Sequence, residues 1–201
     1  MFNFFSRSRQ KPSPRQADLP GVQALTAFDI ELLTGFLCRT TSVLPITKQE
    51  AALASRYFCA RHYHVNEIII RAGDNVNTDH MLWILDGEAS IETRIHTADA
   101  PIYMTVLGAG SALGEMGLID GSIRSVNCIA SAPTRCAILT KDMLQALCNE
   151  QPAVAAKLMS VICIGVSVRL RDITEKFKRY VQLNRALSDE LNALTPLDEL
   201  S

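Results

Sequence analysis

The feature that most constrains the fold is a series of short runs, rich in β-branched and other apolar residues, between about Val65 and Thr140. Glycine-containing segments such as Ala72-Gly73-Asp74 and Asp86-Gly87-Glu88 separate these runs. Short strands at regular spacing with turn signals between them are typical of antiparallel sandwiches and barrels, not of alternating β-α units. The pattern predicts six strands, at residues 67–72, 81–85, 89–94, 102–107, 125–130 and 135–139.

Helices are predicted on both sides of this β region. Apolar residues recur at three- and four-residue steps from Leu25 to Leu37, and Thr47 with Glu50 forms a capping box that starts a helix near Lys48, predicted to run to about residue 61. Further helices are predicted at 141–149, from 153 to about 181, and at 183–194. The fold class is therefore α+β, an antiparallel β-roll or jelly roll with flanking N-terminal helices and a long C-terminal helix.

The same patterns divide the chain into four parts. We predict a disordered basic tail at 1–21, an accessory N-terminal helix at 22–45, a main domain at 46–181 that includes the long helix, and a short helix with a loose acidic tail at 182–201.

Composition excludes several classes of function. The formal net charge of −1 gives no case for nucleic-acid binding, which usually needs a markedly basic domain. The six cysteines show no C-x-x-C pair and the four histidines no ligand spacing. We therefore expect the cysteines to be buried, reduced thiols that act as small apolar side chains, and we expect no metal site and a cytoplasmic location. The most apolar stretch, 158–170, is shorter than the roughly 20 residues of a membrane span and contains Arg169, so membrane association is not expected.

The residues from Leu107 to Val126 form the segment that is predicted to bind a ligand. This segment combines a glycine-rich turn, a short helical stretch that opens at Gly114-Glu115, and an arginine, Arg124, that enters a strand. Gly114 allows close backbone approach, and free N–H groups together with Arg124 favour an anion such as phosphate. A carboxylate at Glu115 suits the same site if it accepts a hydrogen bond from a hydroxyl beside that phosphate, as a ribose 2′-OH would provide.

At this point the sequence resembles the cyclic nucleotide-binding domain family, in particular the effector domain of catabolite activator (CRP/FNR) proteins. The resemblance covers about residues 46 to 180 and rests on the order and spacing of several pieces. These are Ala72-Gly73-Asp74, Trp83-Ile84-Leu85-Asp86-Gly87, Gly110, Gly114-Glu115-Met116, Arg124-Ser125, Arg169-Leu170 and Thr174-Glu175-Lys176.

The resemblance implies a role for each matching residue. Glu115 binds the ribose 2′-OH, Arg124 pairs with the cyclic phosphate, and the Ser125 hydroxyl and nearby backbone amides complete the site. Apolar side chains lie under the purine and ribose, and a hydroxyl of the long helix reaches the purine, in some relatives from the partner subunit. The implied ligand-binding residues are Gly114, Glu115, Met116, Arg124, Ser125, Leu107, Met104 and Thr174. The sequence departs from the family pattern at Ile173, where close relatives carry a hydroxyl, and at Asn127.

The implied function is a receptor for a cyclic nucleotide, cAMP or else cGMP, that changes a dimer or partner surface when the ligand binds. No catalytic motif is present, so we expect neither an enzyme nor a cofactor. The chain continues only to Ser201 after Tyr180, too short for a helix-turn-helix, so DNA binding is not expected. The alternative is a ligand-independent scaffold for an unidentified protein partner. An apolar face of the long helix predicts a homodimer seam, although packing against the roll would bury the same face; it comprises Val154, Leu158, Val161, Ile162, Gly165 and Val168.

Overall fold

A computed structural model of the chain describes residues 21–40, 42–93 and 102–194. Except for Gly21, the predicted N-terminal tail lies outside these ranges, and so does the acidic tail after Pro196. The chain divides into two compact units, one ending at Ile162 and the other beginning at Cys163. The whole β region belongs to the first unit.

The described residues form helices at both ends of an antiparallel β region. The helices are α1 (Ala27–Arg39), α2 (Lys48–Ala54), α3 (Glu115–Asp120), α4 (Lys141–Glu150) and α5 (Pro152–Leu194), with a 3-10 turn at Ser55–Tyr57. The strands are β1 (Val22–Ala24), β2 (Cys59–Tyr63), β3 (Ile68–Ile70), β4 (His80–Asp86), β5 (Glu88–Thr93), β6 (Ile102–Gly108), β7 (Ala112–Leu113), β8 (Asn127–Ala130) and β9 (Thr134–Thr140). The six predicted strands are confirmed as β3, β4, β5, β6, β8 and β9.

Two antiparallel sheets make up the roll. One has the strand order β1-β2-β9-β4-β7 and the other β3-β8-β5-β6. Strand β4 is buried on both faces: Leu82 and Ile84 belong to the core cluster between the sheets, whereas Met81, Trp83 and Leu85 belong to the cluster that the helices cover. Because successive strand side chains point to opposite faces, this double burial explains an almost uninterrupted apolar run. The α+β roll is confirmed.

The cysteines occupy different environments, all as free thiols. Cys59, Cys128 and Cys136 are buried between the sheets, as predicted for small apolar side chains. Burial raises the pKa of the Cys136 thiol to about 12. Cys148 and Cys163 are exposed, so the expectation of burial was wrong for these two.

Helix α1 is anchored to the roll by a buried carboxylate. Thr26 caps the helix, and Asp29 completes a capping box by accepting from the Thr26 backbone N–H at 2.9 Å. The other oxygen of Asp29 lies 3.1 Å from Nε of Arg135 on β9, and Asp29 is only 1 % exposed. Leu33 and Leu37 are fully buried in the helix-covered core. The accessory helix is thus part of the core of the first unit.

Helix α2 begins as predicted but ends earlier. The capping box of Thr47 and Glu50 is present. Nζ of Lys157 donates to both Glu50 oxygens, at 2.7 and 2.8 Å, and this contact, with those to Thr47, lowers the pKa of Glu50 to about 2. The predicted continuation to residue 61 was wrong, because Cys59–Tyr63 is strand β2 and pairs with β9. Pairing with a strand distant in sequence overrides local helical preference here.

Helix α5 is one helix of 43 residues, not the two predicted pieces. Val154, Leu158, Val161 and Ile162 are buried in the core of the same chain, against α1 and α4. These four residues therefore cannot serve as a dimer seam, and the open alternative, packing against the chain's own core, is correct for them. Gly165 and Val168 are exposed.

Helix α5 also passes a test for membrane spans based on length and composition. Its most apolar 18-residue window has a mean hydropathy of 1.8, and 28 % of that window is buried. Core helices pass the same test. Since the first part of α5 belongs to the core, this result is weak evidence for a membrane span.

Candidate functional site

The glycine-rich segment folds into a short strand, a left-handed turn and a short helix. Strand β7 pairs with β4, and Gly114 follows it with φ +75°, at the N-cap of α3. A Cβ at Gly114 would lie 2.6 Å from Nη1 of Arg124 and 3.0 Å from the Ile70 side chain. Both the positive φ and this close approach require glycine here. The first helical hydrogen bond runs from the Leu118 N–H to the Gly114 carbonyl, so the N–H groups of residues 115–117 precede the hydrogen-bonded part of α3.

Arg124 lies three residues before β8 and reaches to the start of α3. Its Nη1 donates to the Gly114 carbonyl at 2.8 Å. Nε and Nη2 donate to the Asn77 carbonyl at 3.2 and 2.9 Å, and Nη2 also donates to the His80 carbonyl at 2.7 Å. Arg124 is only 6 % exposed. The guanidinium group therefore joins α3 to the loop between β3 and β4.

Gly117 completes the surface against which this guanidinium packs. A Cβ at Gly117 would lie 2.8 Å from Nη1 of Arg124 and 3.0 Å from the Thr78 carbonyl oxygen. Burial lowers the pKa of Arg124, opposed by nearby acidic groups that include Asp74 and Glu115. Arginine begins from so high a pKa that the group stays cationic near neutral pH.

The structure brings part of the predicted site together. Gly114 and Arg124 are in contact, and Glu115 is buried beside them, 4 % exposed, at the start of α3. We call Gly114, Glu115 and Arg124 the cradle. Ser125 follows Arg124 in the chain and is exposed.

The other predicted residues lie in β6, α3 and α5. Leu107 packs against the core cluster between the sheets, whereas Met116 points outward and is 57 % exposed. The backbone of Met104 lies in β6, but its side chain is outside the described part of the structure. Thr174 lies in the second unit, where its hydroxyl donates to the Leu170 carbonyl at 2.8 Å.

The loop between β3 and β4 contributes groups that sequence analysis missed. It supplies the Asn77 carbonyl that binds Arg124, next to the His80 carbonyl at the start of β4, and the Arg124 N–H donates to the Asp74 carbonyl at 3.0 Å. Asn127, a departure from the family pattern, accepts from the Ala72 N–H at 2.8 Å and so fixes the start of this loop. Asp74 followed by Asn77 is a turn signal that predicts an ordered loop, but no sequence signal shows which side chain would bind its carbonyls.

A cavity of about 260 Å³ opens beside Arg124, on the side of this loop. It is lined by Arg61, Ile68, Ile69, Ile70, Arg71, Asp74, Asn77, His80, Arg124 and Ile138. Arg124 is the only residue that the cavity shares with the predicted ligand-binding set. Among the described residues, no group of three or more His, Cys, Asp or Glu side chains could hold a metal ion.

Comparison with known proteins identifies the β region. Residues 60–151 match the family model of the cyclic nucleotide-binding domain. These residues form a cyclic nucleotide-binding domain. The match includes the cradle and the loop between β3 and β4, and it confirms the resemblance seen in the sequence. No curated protein sequence matches the chain.

Solved structures show the same fold. A cyclic nucleotide-binding domain from Methylobacillus flagellatus is 24 % identical, with a TM-score of 0.72 over 80 % of this chain and 90 % of that one. The catabolite activator protein of Thermus thermophilus is 26 % identical, with a TM-score of 0.55 over 68 % of this chain and 61 % of that one. The c-di-GMP-responsive regulator CLP of Xanthomonas campestris is 23 % identical, with a TM-score of 0.56 over 72 % and 71 %. The cyclic nucleotide-binding fold of the domain is therefore shared with these proteins.

Proposed function

We propose that the domain is a receptor for a cyclic nucleotide, cAMP in the first place and cGMP as the alternative. The observation that carries this proposal is the cradle itself, where the Arg124 guanidinium lies 2.8 Å from the Gly114 carbonyl beside the buried Glu115. A cation, a carboxylate and backbone N–H groups at one point suit a phosphate next to a ribose hydroxyl.

Each residue has a role in this proposal. Arg124 pairs with the cyclic phosphate, the Ser125 hydroxyl and the amides after Gly114 complete its hydrogen bonds, and Glu115 accepts from the ribose 2′-OH. Leu107 and Met104 contact the purine and ribose, and Thr174 contacts the purine. The ligand regulates through its different affinities for two positions of the long helix, because a ligand that binds both states equally shifts neither.

The hydrogen bonds of Arg124 set a condition on ligand binding. A guanidinium has five N–H donors, and the bonds to Gly114, Asn77 and His80 use four of them. A phosphate must therefore accept from the remaining N–H of Nη1, or replace one of these three carbonyls as the hydrogen-bond acceptor of Arg124. Replacement couples ligand binding to movement of the loop between β3 and β4, which we propose as the first step of the response.

Calorimetric titration with cAMP and cGMP tests the proposal. We expect saturable binding to the wild-type chain and about tenfold weaker binding to Ser125→Ala, since a hydrogen bond to a charged group contributes about 1.5 kcal/mol or more. Ser125 is exposed, so its replacement leaves the fold intact. Ser131→Ala, at another exposed serine, is the matched control and should bind like wild type. Absence of binding by both nucleotides at millimolar concentration would favour the alternative, a ligand-independent scaffold.

We further propose that the chain forms a homodimer through the second unit. Its apolar residues follow alternating steps of three and four residues, which is the heptad pattern of a coiled coil. The side chains at these positions are exposed, with 66 % exposure at Phe177 and Tyr180. The series runs Leu170, Ile173, Phe177, Tyr180, Asn184, Leu187 and Leu191. A solvent-exposed apolar stripe of this length favours a second copy of the same helix, because the same heptad positions of that copy can cover it along its whole length.

Asn184 sets the geometry of this dimer. It lies at the position equivalent to Leu170, Phe177 and Leu191 in the heptad. A single asparagine at such a position favours a parallel two-helix coiled coil in register, because the side-chain amides of the two copies then hydrogen-bond to each other. The dimer therefore places its two helices side by side in the same direction.

Sedimentation of the full chain tests the dimer. We expect about twice the chain mass of 22.1 kDa for wild type, and the monomer mass for Phe177→Asp, which places a charge in the seam. Gln182→Asp, at an outward heptad position, is the matched control and should stay dimeric. A coiled coil of about 25 residues is expected to associate at 100 µM. The proposal would be contradicted if the wild-type chain sedimented as a monomer at that concentration.

A further inference from the structure

We propose that the cavity between β3 and the loop that follows it is a second binding site, for a small organic anion that has an apolar body. The cavity, about 260 Å³, contains neither Glu115 nor Ser125, so it is separate from the proposed nucleotide site except at Arg124. The inference therefore stands independently of nucleotide binding.

The charge of the cavity favours an anion. Three guanidinium groups line it, those of Arg61, Arg71 and Arg124, against one carboxylate, that of Asp74. The Asp74 carboxylate is fully engaged in its own loop: Oδ1 accepts from the N–H groups of Val76 and Asn77, and Oδ2 accepts from the Asn77 amide at 2.9 Å. These hydrogen bonds lower the pKa of Asp74 to about 2. The Asp74 carboxylate therefore accepts its hydrogen bonds within its own loop, and these bonds do not involve the arginine side chains that line the cavity.

The arginines differ in how far they are already engaged. Arg61 lies 3.3 Å from Glu67 and 4.6 Å from the centre of the Tyr63 ring, and Arg124 is bound to backbone carbonyls. Arg71 is exposed at the mouth, and among the described residues no carboxylate forms an ion pair with it. Arg71 is therefore the cation that an entering anion meets first, because its charge is the least compensated.

His80 supplies an unsatisfied polar group at the inner end. The residue is 8 % exposed, and its Nδ1 has no hydrogen-bond partner among the described residues. Oδ1 of the neighbouring Asp79 lies 3.8 Å from this nitrogen, beyond hydrogen-bond distance. Burial, and then the charge of Arg124, lowers the pKa of His80 to about 4, so the ring is neutral at pH 7. Buried polar atoms normally have a hydrogen-bond partner, and an oxygen of the ligand would supply the missing partner of His80 Nδ1.

The apolar wall selects an organic ligand over an inorganic ion. Ile69, Ile70 and Ile138 are buried members of the core cluster between the sheets, and Ile68 extends the same wall outward. A phosphate or sulfate ion would leave this wall without contacts, whereas a short-chain carboxylate places its methylene groups against it. The cavity therefore fits a compact carboxylate with an alkyl chain of a few carbons.

Nuclear magnetic resonance of the His80 imidazole in the full chain tests the inference, with butyrate as the probe. We expect a saturable shift of the His80 signals at millimolar butyrate, and about tenfold weaker binding to Arg71→Glu, which reverses the charge at the mouth. Arg56→Glu, at an exposed arginine outside the cavity, is the matched control and should bind butyrate within about twofold of wild type. Butylammonium, which has the same alkyl chain and the opposite charge, should produce no saturable shift.

The outcomes separate this site from the proposed nucleotide site. Ser125→Ala should weaken nucleotide binding and leave butyrate binding unchanged. A wild-type chain that binds butyrate but no nucleotide would support this inference and contradict the proposed function. Equal shifts with butyrate and butylammonium, or equal butyrate affinity in wild type and Arg71→Glu, would overturn the inference.

Discussion

Arg124→Ala is expected to lower the free energy of unfolding by about 3 kcal/mol or more, because it removes four hydrogen bonds from a buried cation to backbone carbonyls. The carbonyls of Gly114 and His80 would lose a charged donor in a buried environment. For a chain of this size such a change lowers Tm by roughly 6 to 12 °C. Urea unfolding of wild type and variant, followed by circular dichroism, measures the difference.

The control for Arg124 is Arg71→Ala. Arg71 is an exposed arginine that lines the same cavity, and its removal should change the free energy of unfolding by less than about 0.5 kcal/mol. A loss below about 1 kcal/mol in Arg124→Ala would contradict the structural role of the guanidinium. The expected result also affects binding studies: weaker nucleotide binding by Arg124→Ala reports a disturbed cradle as well as a lost phosphate contact, whereas Ser125→Ala reports the contact alone.

Gly87→Ala is expected to destabilise the roll by about 4 kcal/mol, the sum of left-handed strain and a backbone collision. Gly87 joins β4 to β5 with φ +87°. A Cβ at this position would collide with the Pro133 carbonyl oxygen and lie 2.7 Å from Cα of Thr134. The backbone there cannot move freely, because the Thr134 hydroxyl donates to the Glu88 carbonyl at 2.8 Å and so holds the two turns together.

Gly121→Ala separates the two contributions to this effect. Gly121 also has a positive φ, +70°, but a Cβ there would meet nothing within 4 Å. It should therefore show only the conformational cost, about 1 to 2 kcal/mol. Thermal unfolding of both variants gives the comparison. If Gly87→Ala were no less stable than Gly121→Ala, the close approach of the two turns would be disproved.

Local patterns in the sequence were sufficient for much of the fold. The capping box of Thr47 and Glu50 marks the start of α2, and the alternation of apolar runs with glycine turns marks six of the nine strands that the described residues form. These signals are short-range: a cap involves residues three apart, and a strand needs only its own side chains. Strand β2 was missed because its identity depends on β9, about 75 residues later in the chain, where Cys59 pairs with Ile138.

The candidate site also has features that the sequence predicts and features that only the structure shows. The spacing of Gly114, Glu115 and Arg124 along the chain was enough to predict an anion site, because a glycine turn, free backbone N–H groups and a guanidinium group suit an anion. The sequence could not show that Arg124 binds the Asn77 and His80 carbonyls, since backbone carbonyls are the same at every position. It also could not show which apolar residues of α5 are already covered.

The sequence by itself therefore determined most of the helices and strands, the roll and the residue types of the cradle, because each depends on residue types at fixed short spacing. Only the tertiary structure decided which groups Arg124 contacts, which face of α5 belongs to the core, and that a cavity lies beside His80. The physical reason is that these features arise where segments distant in the chain meet. Packing and hydrogen bonding between such segments depend on positions in space, which residue spacing along the chain does not specify.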